Sequence, residues 1–216
     1  MSTAGFYGKI ASRGDFLGRD LPQSFIQPWD AWLAEGLAAS QQQLGDAWLD
    51  TYLVSPLWHF LLAPGVCGDQ AVAGVLMPSI DRVGRYFPLV IASLLPADQS
   101  PASVVSDDTW FEAAEALLLT TLEEGARFED FETAVQALGP LPVRSRVAQA
   151  GFAGLQRIEA VEGSARLDAL ADLSCEGVSL WWGKGSERID AGLMRCHGLP
   201  PANEFGQYLL GREATC

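Results

Sequence analysis

Two short polar stretches carry the side chains best suited to chemistry. "SRGDF", Ser12 to Phe16, follows a strand-like run, and "SIDRVGR", Ser79 to Arg85, lies between the apolar runs "AVAGVLM" and "YFPLVIASLL". Each combines Ser, Asp and Arg beside Gly. If both loops meet at one sheet edge, Arg13, Asp15, Asp81, Arg82 and Arg85 form one network. Two readings follow. Asp–Arg pairs can simply fix the loops. Alternatively, planar guanidinium groups line a pocket for an anionic or peptide group. Asp81 beside two arginines leaves one donor uncompensated, which either Asp15 or a partner would satisfy. Ser12 and Ser79 could serve the same pocket. Trp29 and Asp30, in "PWDAW", are further candidates for a pocket or partner surface, although core packing is the first explanation for the tryptophans.

Other chemistries find less support. Ser79, Asp81 and a histidine could be imagined as a triad, but no G-x-S-x-G elbow surrounds any serine. His59, inside "PLWHFLLA", is expected to be a satisfied, partly buried structural residue. His197, beside Gly198, is expected in a surface loop. No P-loop or Gly-rich strand-to-helix turn is present. The carboxylates concentrate in helical stretches such as "EEGARFEDFE", where a solvated face is the default. Cys67, Cys175, Cys196 and Cys216 form no C-x-x-C pair, and neither histidine stands at metal-ligand spacing from a cysteine. The expectation is a protein with no catalytic residues, metal or cofactor.

Composition narrows the partners. The 216 residues are 49% hydrophobic and 19% charged, which reads as globular. A formal net charge of −13 argues against nucleic acid and against docking on an anionic membrane. The first residues lack an apolar core behind a basic start, so no signal peptide is expected. The apolar runs are too short and Pro-punctuated to span a bilayer. The expected location is the cytoplasm, with reduced thiols.

The elements that must position these loops are legible as patterns. "AGFYGKI" reads as a strand. Pro28 suits a helix start, with Trp29, Trp32, Leu33 and Leu37 on one face. Leu44, Trp48, Leu49 and Tyr52 continue that face until Pro56. "LWHFLLA", "AVAGVLM" and "YFPLVIASLL" are three strands with short connections, hence antiparallel neighbours. Pro96 to Ser106 reads as a loop. Asp107 or Asp108 caps a helix through "TWFEAAEALLLTTLEEGA", and Phe128 to Leu138 is another helix. Residues 144–172 are Ala-rich and read as moderately helical. "GVSLWWG" and "AGLMRCHG" form a hairpin around "KGSERID", and "PPANEFGQYLLG" closes as a short helix ending near Gly211. Several strands are continuously apolar, as expected when helices cover both faces. The prediction is an α/β fold: a single three-layer domain over residues 1–216, with a mixed, largely antiparallel central sheet and helices on both faces.

"GFYGKIASRGDF", "PWDAWL", "WLDTYLVSPLWHF" and "GVLMPSIDRVGRYFPL" together resemble the signature stretches of the TagF family, also called ImpM, accessory proteins of bacterial type VI secretion. The resemblance is dense over about the first hundred residues and loose thereafter. It implies a cytoplasmic post-translational repressor that acts through a forkhead-associated-domain scaffold protein. Some relatives are fused to a protein phosphatase domain; no second domain of that kind is expected within these residues. The resemblance also marks Ser12, Arg13, Gly14, Asp15, Trp29, Asp30, Ser79, Asp81, Arg82, Gly84 and Arg85 as family-signature positions, and transfers no catalytic residue. The leading expectation is a non-enzymatic interaction protein. The alternative is an enzyme or small-ligand sensor that uses loops 12–16 and 79–85.

Overall fold

The computed structural model describes residues 3–145, 149–152, 155–158 and 162–208. Chain order begins with β1 (Gly5–Gly8), β2 (Leu17–Arg19), α1 (Gln23–Leu44) and α2 (Trp48–Leu53). Three long strands follow: β3 (Trp58–Leu62), β4 (Ala71–Met77) and β5 (Leu89–Leu95). Then come α3 (Thr109–Thr120), α4 (Phe128–Leu138), β6 (Gln149–Phe152), β7 (Leu155–Ile158) and α5 (Gly163–Ser174). The chain ends with β8 (Val178–Gly183), β9 (Gly192–His197) and α6 (Phe205–Tyr208).

Seven strands form one sheet in the order β2-β1-β5-β4-β3-β8-β9, and every pairing in it is antiparallel. The α/β sheet with helices on both faces is therefore present, in a fully antiparallel form. β8 pairs with β3, Phe60 opposite Trp181, so residues far along the chain complete the early sheet.

Strand periodicity sorts the core into two layers. Phe6, Leu61, Ala73, Val75, Leu89 and Ile91 face one way, against Phe111, Leu118, Phe131 and Val135 of α3 and α4. Their neighbours Phe60, Leu62, Val72, Leu76, Val90 and Ala92 face the other way, against Phe25, Trp29, Leu33, Trp48 and Tyr52 of α1 and α2. Burial on both faces explains why β3 and β4 read as unbroken apolar runs.

Four details differ from the sequence expectation. α1 starts at Gln23 behind an extended Pro22, so Pro28 lies inside the helix instead of opening it. Its missing N–H frees only the Ser24 carbonyl, close to the helix start, and burial of Trp29 and Leu33 outweighs that loss. β2 is three residues long and carries no pattern of its own. Within 144–172, β6 and β7 form a separate antiparallel hairpin, and the helix begins only at Gly163. Pro101–Ser106 is a 3-10 turn, not open loop, capped by the Ser100 hydroxyl, which accepts from the Ser103 N–H. The expected closing helix beyond Tyr208, and Cys216, lie outside the described residues.

Candidate functional site: a clasp of two loops at one sheet end

β1 and β5 are hydrogen-bonded neighbours, Gly8 opposite Leu89. The loop leaving β1 and the loop entering β5 therefore emerge at the same sheet end. They are tied by backbone: the Arg82 N–H donates to the Arg13 carbonyl at 2.9 Å. The Arg85 guanidinium also donates to the Gly14 carbonyl. Ser79 Oγ donates to the Lys9 carbonyl at 2.8 Å. Loops 12–16 and 79–85 are thus one clasp.

Asp81 is its centre and is only 3% exposed. One carboxylate oxygen accepts the N–H groups of Val83 at 3.0 Å and Arg85 at 2.9 Å. The other accepts Arg85 Nε at 2.7 Å and pairs with Lys9 Nζ at 3.0 Å. Burial opposes the charge on Asp81. The Arg85 N–H, the Lys9 ammonium, the Arg85 guanidinium and the Val83 N–H outweigh it, and hold the carboxyl well below the usual carboxylate range. Lys9 is itself buried, and its ammonium lies 5.0 Å from the centre of the Phe16 ring. Phe16 closes over the pair, stacked on Tyr7 and edge-on to Phe87.

Tyr52 on α2 holds the same loop from behind. Its hydroxyl donates to the Ser79 carbonyl and accepts the Ser79 N–H, both at 2.8 Å. The loop tip is a tight turn. The Gly84 N–H bonds the Asp81 carbonyl at 3.0 Å, and Gly84 takes a φ of 87°, which explains glycine there.

The expected network is partly rearranged. Asp81 orients Arg85 but makes no bond to the Arg82 side chain; its second cation is Lys9. The physical reason is reach: Arg82 is exposed at the tip, whereas Lys9 directly follows β1 and its ammonium lies 3.0 Å from the carboxylate. Arg13 pairs with Glu129 of α4, and its guanidinium lies over Phe128. Among the described residues, Asp15 and the Arg82 side chain have no ion pair or hydrogen bond, and both are exposed. Ser12 keeps its hydroxyl unpartnered and lines a cleft of about 320 Å³ between Ile10 and the α3–α4 connection.

Three candidates prove to be interior. Trp29 is fully buried among Phe25, Trp32, Phe60 and Trp181, with ring centres 4.8–6.2 Å away, so it fills the core and offers no partner surface. Ser79 and Asp81 are buried, and their polar groups are committed within the clasp. Asp30 is half-buried and accepts the Tyr7 hydroxyl at 2.6 Å. Burial, then that carboxylate, raises the Tyr7 pKa above its usual value.

Lys9, Tyr52 and Tyr7 were not singled out by the sequence reading. Lys9 did leave a signal: it is one of only two lysines and ends an otherwise apolar run. His59 is also not the satisfied residue expected. It is 2% exposed, stacked on Phe111, and neither ring nitrogen has a hydrogen-bond partner. Glu115 and Asp108 approach only to 3.8 and 3.9 Å. His197 is the exposed last residue of β9, not part of a loop. Burial pushes the Cys67 thiol up to about 12. Among the described residues, no three His, Cys, Asp or Glu side chains are grouped to hold a metal ion. No described helix is long and apolar enough to cross a membrane.

The comparisons agree with this architecture. Residues 5–138 match the family model described as the TagF N-terminal domain, type VI secretion system-associated. The crystal structure of PA0076 from Pseudomonas aeruginosa PAO1 is similar throughout. It is 56% identical, with a TM-score of 0.94, over 99% of this chain and 97% of that one. No curated protein matches. The matched segment carries both loops of the clasp and the helices that back it, and on that match the chain belongs to the type VI secretion-associated TagF family.

Proposed function

We propose that this protein is a cytoplasmic regulator that restrains type VI secretion after translation, by binding a forkhead-associated-domain scaffold. Family membership supplies the secretion context. The observation that carries the interaction reading is the state of the clasp. Its only buried carboxylate is bonded on both oxygens, and Ser79 Oγ is spent on a main-chain carbonyl. An enzyme built on these loops would need Asp81 or Ser79 open to a substrate. A clasp that spends them internally instead makes a stiff platform, and stiffness lowers the ordering cost of binding a partner.

Deleting the gene from a bacterium whose type VI apparatus is silent tests the proposal. Secretion should rise while transcript levels of the apparatus stay constant, and restoring the wild-type chain should silence it again. Unchanged secretion in a strain whose apparatus is otherwise inducible would refute the regulatory role.

A further inference from the structure

We infer that the Arg82–Val83 tip of the clasp is the docking surface, and that it inserts into an acidic site on a protein partner. The inference rests on the regulatory reading above and names the surface and the partner's chemistry.

The argument starts from what remains unspent in the clasp. Lys9 and Arg85 are matched by Asp81, Arg13 by Glu129, and Arg19 by Glu132. Arg82 alone among these cations has no carboxylate. Its own backbone N–H is tied to the Arg13 carbonyl, so the tip is anchored while the guanidinium stays free. Val83 beside it is 65% exposed, yet its N–H is held by Asp81. An exposed valine next to an unpaired arginine has no role in the core. The turn that carries them is fixed on every side: by Tyr52 on Ser79, by Asp81 on Val83 and Arg85, and by the Gly84 turn bond. A guanidinium on a preformed turn is the kind of group that dominates protein interfaces, because little entropy is lost when it docks.

Charge decides the class of partner. Within the clasp Arg82 is the one cation without a carboxylate, and the chain carries a net charge of −13; a single such cation on an acidic chain cannot hold a polyanion such as nucleic acid or an anionic membrane, which require several. It can satisfy a carboxylate recessed in a protein surface, where the fork geometry of arginine is matched and Val83 is covered by the rim.

The test uses the full-length chain and the purified forkhead-associated scaffold from the same bacterium, with affinity measured by calorimetry at low and high salt. Arg82→Glu should keep the wild-type melting temperature, because the exposed side chain makes no internal hydrogen bond or ion pair. It should weaken binding by about ten-fold or more. Val83→Asp should also weaken binding without loss of stability. Wild-type affinity should fall as salt rises, and the Arg82→Glu affinity should fall less steeply. Wild-type-like affinity for both variants would overturn the tip as the docking surface and leave the scaffold as partner. If the wild-type chain itself fails to bind the scaffold, the partner is wrong and the inference falls with it.

Discussion

A single titratable residue away from the clasp shows how burial sets pH behaviour. His59 lies under α3, flanked by Asp108 just before that helix, by Glu112 and Glu115 within it and by Lys184 just past β8. Burial lowers its pKa, with Lys184 adding to the effect; Glu115, Asp108 and Glu112 oppose it but stand too far away to bond the ring. The neutral ring is therefore the folded form. Its contribution to stability is complete above the unfolded histidine pKa of about 6.5 and is lost as pH falls from there through the lowered folded value. Chemical denaturation midpoints should fall between neutral and mildly acidic pH, and His59→Gln should flatten that slope. An NMR titration that placed the His59 pKa above its unfolded value would reverse the sign and sink the prediction. Asp81 behaves similarly in a lower window: its lowered pKa means that its support for the clasp goes only as pH drops below the usual carboxylate range.

At the scale of elements, helix α1 is shaped by what packs on it. Gly36 sits mid-helix, where glycine is normally unfavourable relative to alanine by up to about 1 kcal/mol. The ring of Phe205 from α6 explains it: an added Cβ would come within 2.2 Å of that ring. Trp32 meets the same ring edge-on, and its Nε1 donates to the Pro200 carbonyl at 2.8 Å, tying the late segment to α1. Gly36→Ala gains helix propensity but overfills a contact that costs about 1–3 kcal/mol to disturb. The overpacking term is larger, so the variant should be less stable, by about 1 kcal/mol net in urea unfolding. A more stable variant would show that Phe205 can move aside freely.

At the scale of the whole molecule, the sheet does not stop where the family match does. The match ends at residue 138, but β3 is covered on its outer edge by β8, and Trp181 of β8 is fully buried against Trp29, Trp32 and Phe60. A fragment ending at residue 138 would expose the edge of β3 and one side of this aromatic cluster. Unpaired apolar edges invite association. The fragment should aggregate or lack a cooperative melt, whereas limited proteolysis of the full chain should not release two stable halves. A fragment 1–138 that melts sharply as a monomer would show instead that the late strands are an appendage.

The sequence by itself determined the elements whose signals are local. β4, α4 and the β8–β9 pair stand where their apolar patterns and turn residues put them, because periodicity and turn chemistry act within a few residues. It also marked the two loops, because Ser, Asp, Arg and Gly between apolar runs are conspicuous. The partners were decided only in three dimensions. That Asp81 takes Lys9 and Arg85 and leaves Arg82 free follows from β1 lying beside β5, a long-range pairing that no local pattern encodes. The 144–172 segment read as moderately helical because alanine is a strong helix former, yet β6 and β7 pair in its first half and only its second half is helix: propensity is a weak prior that context overrides. Trp29 could have lined a surface or filled the interior. The arrival of β3 and β8 beneath α1 placed it inside, where large apolar area gains most from leaving water.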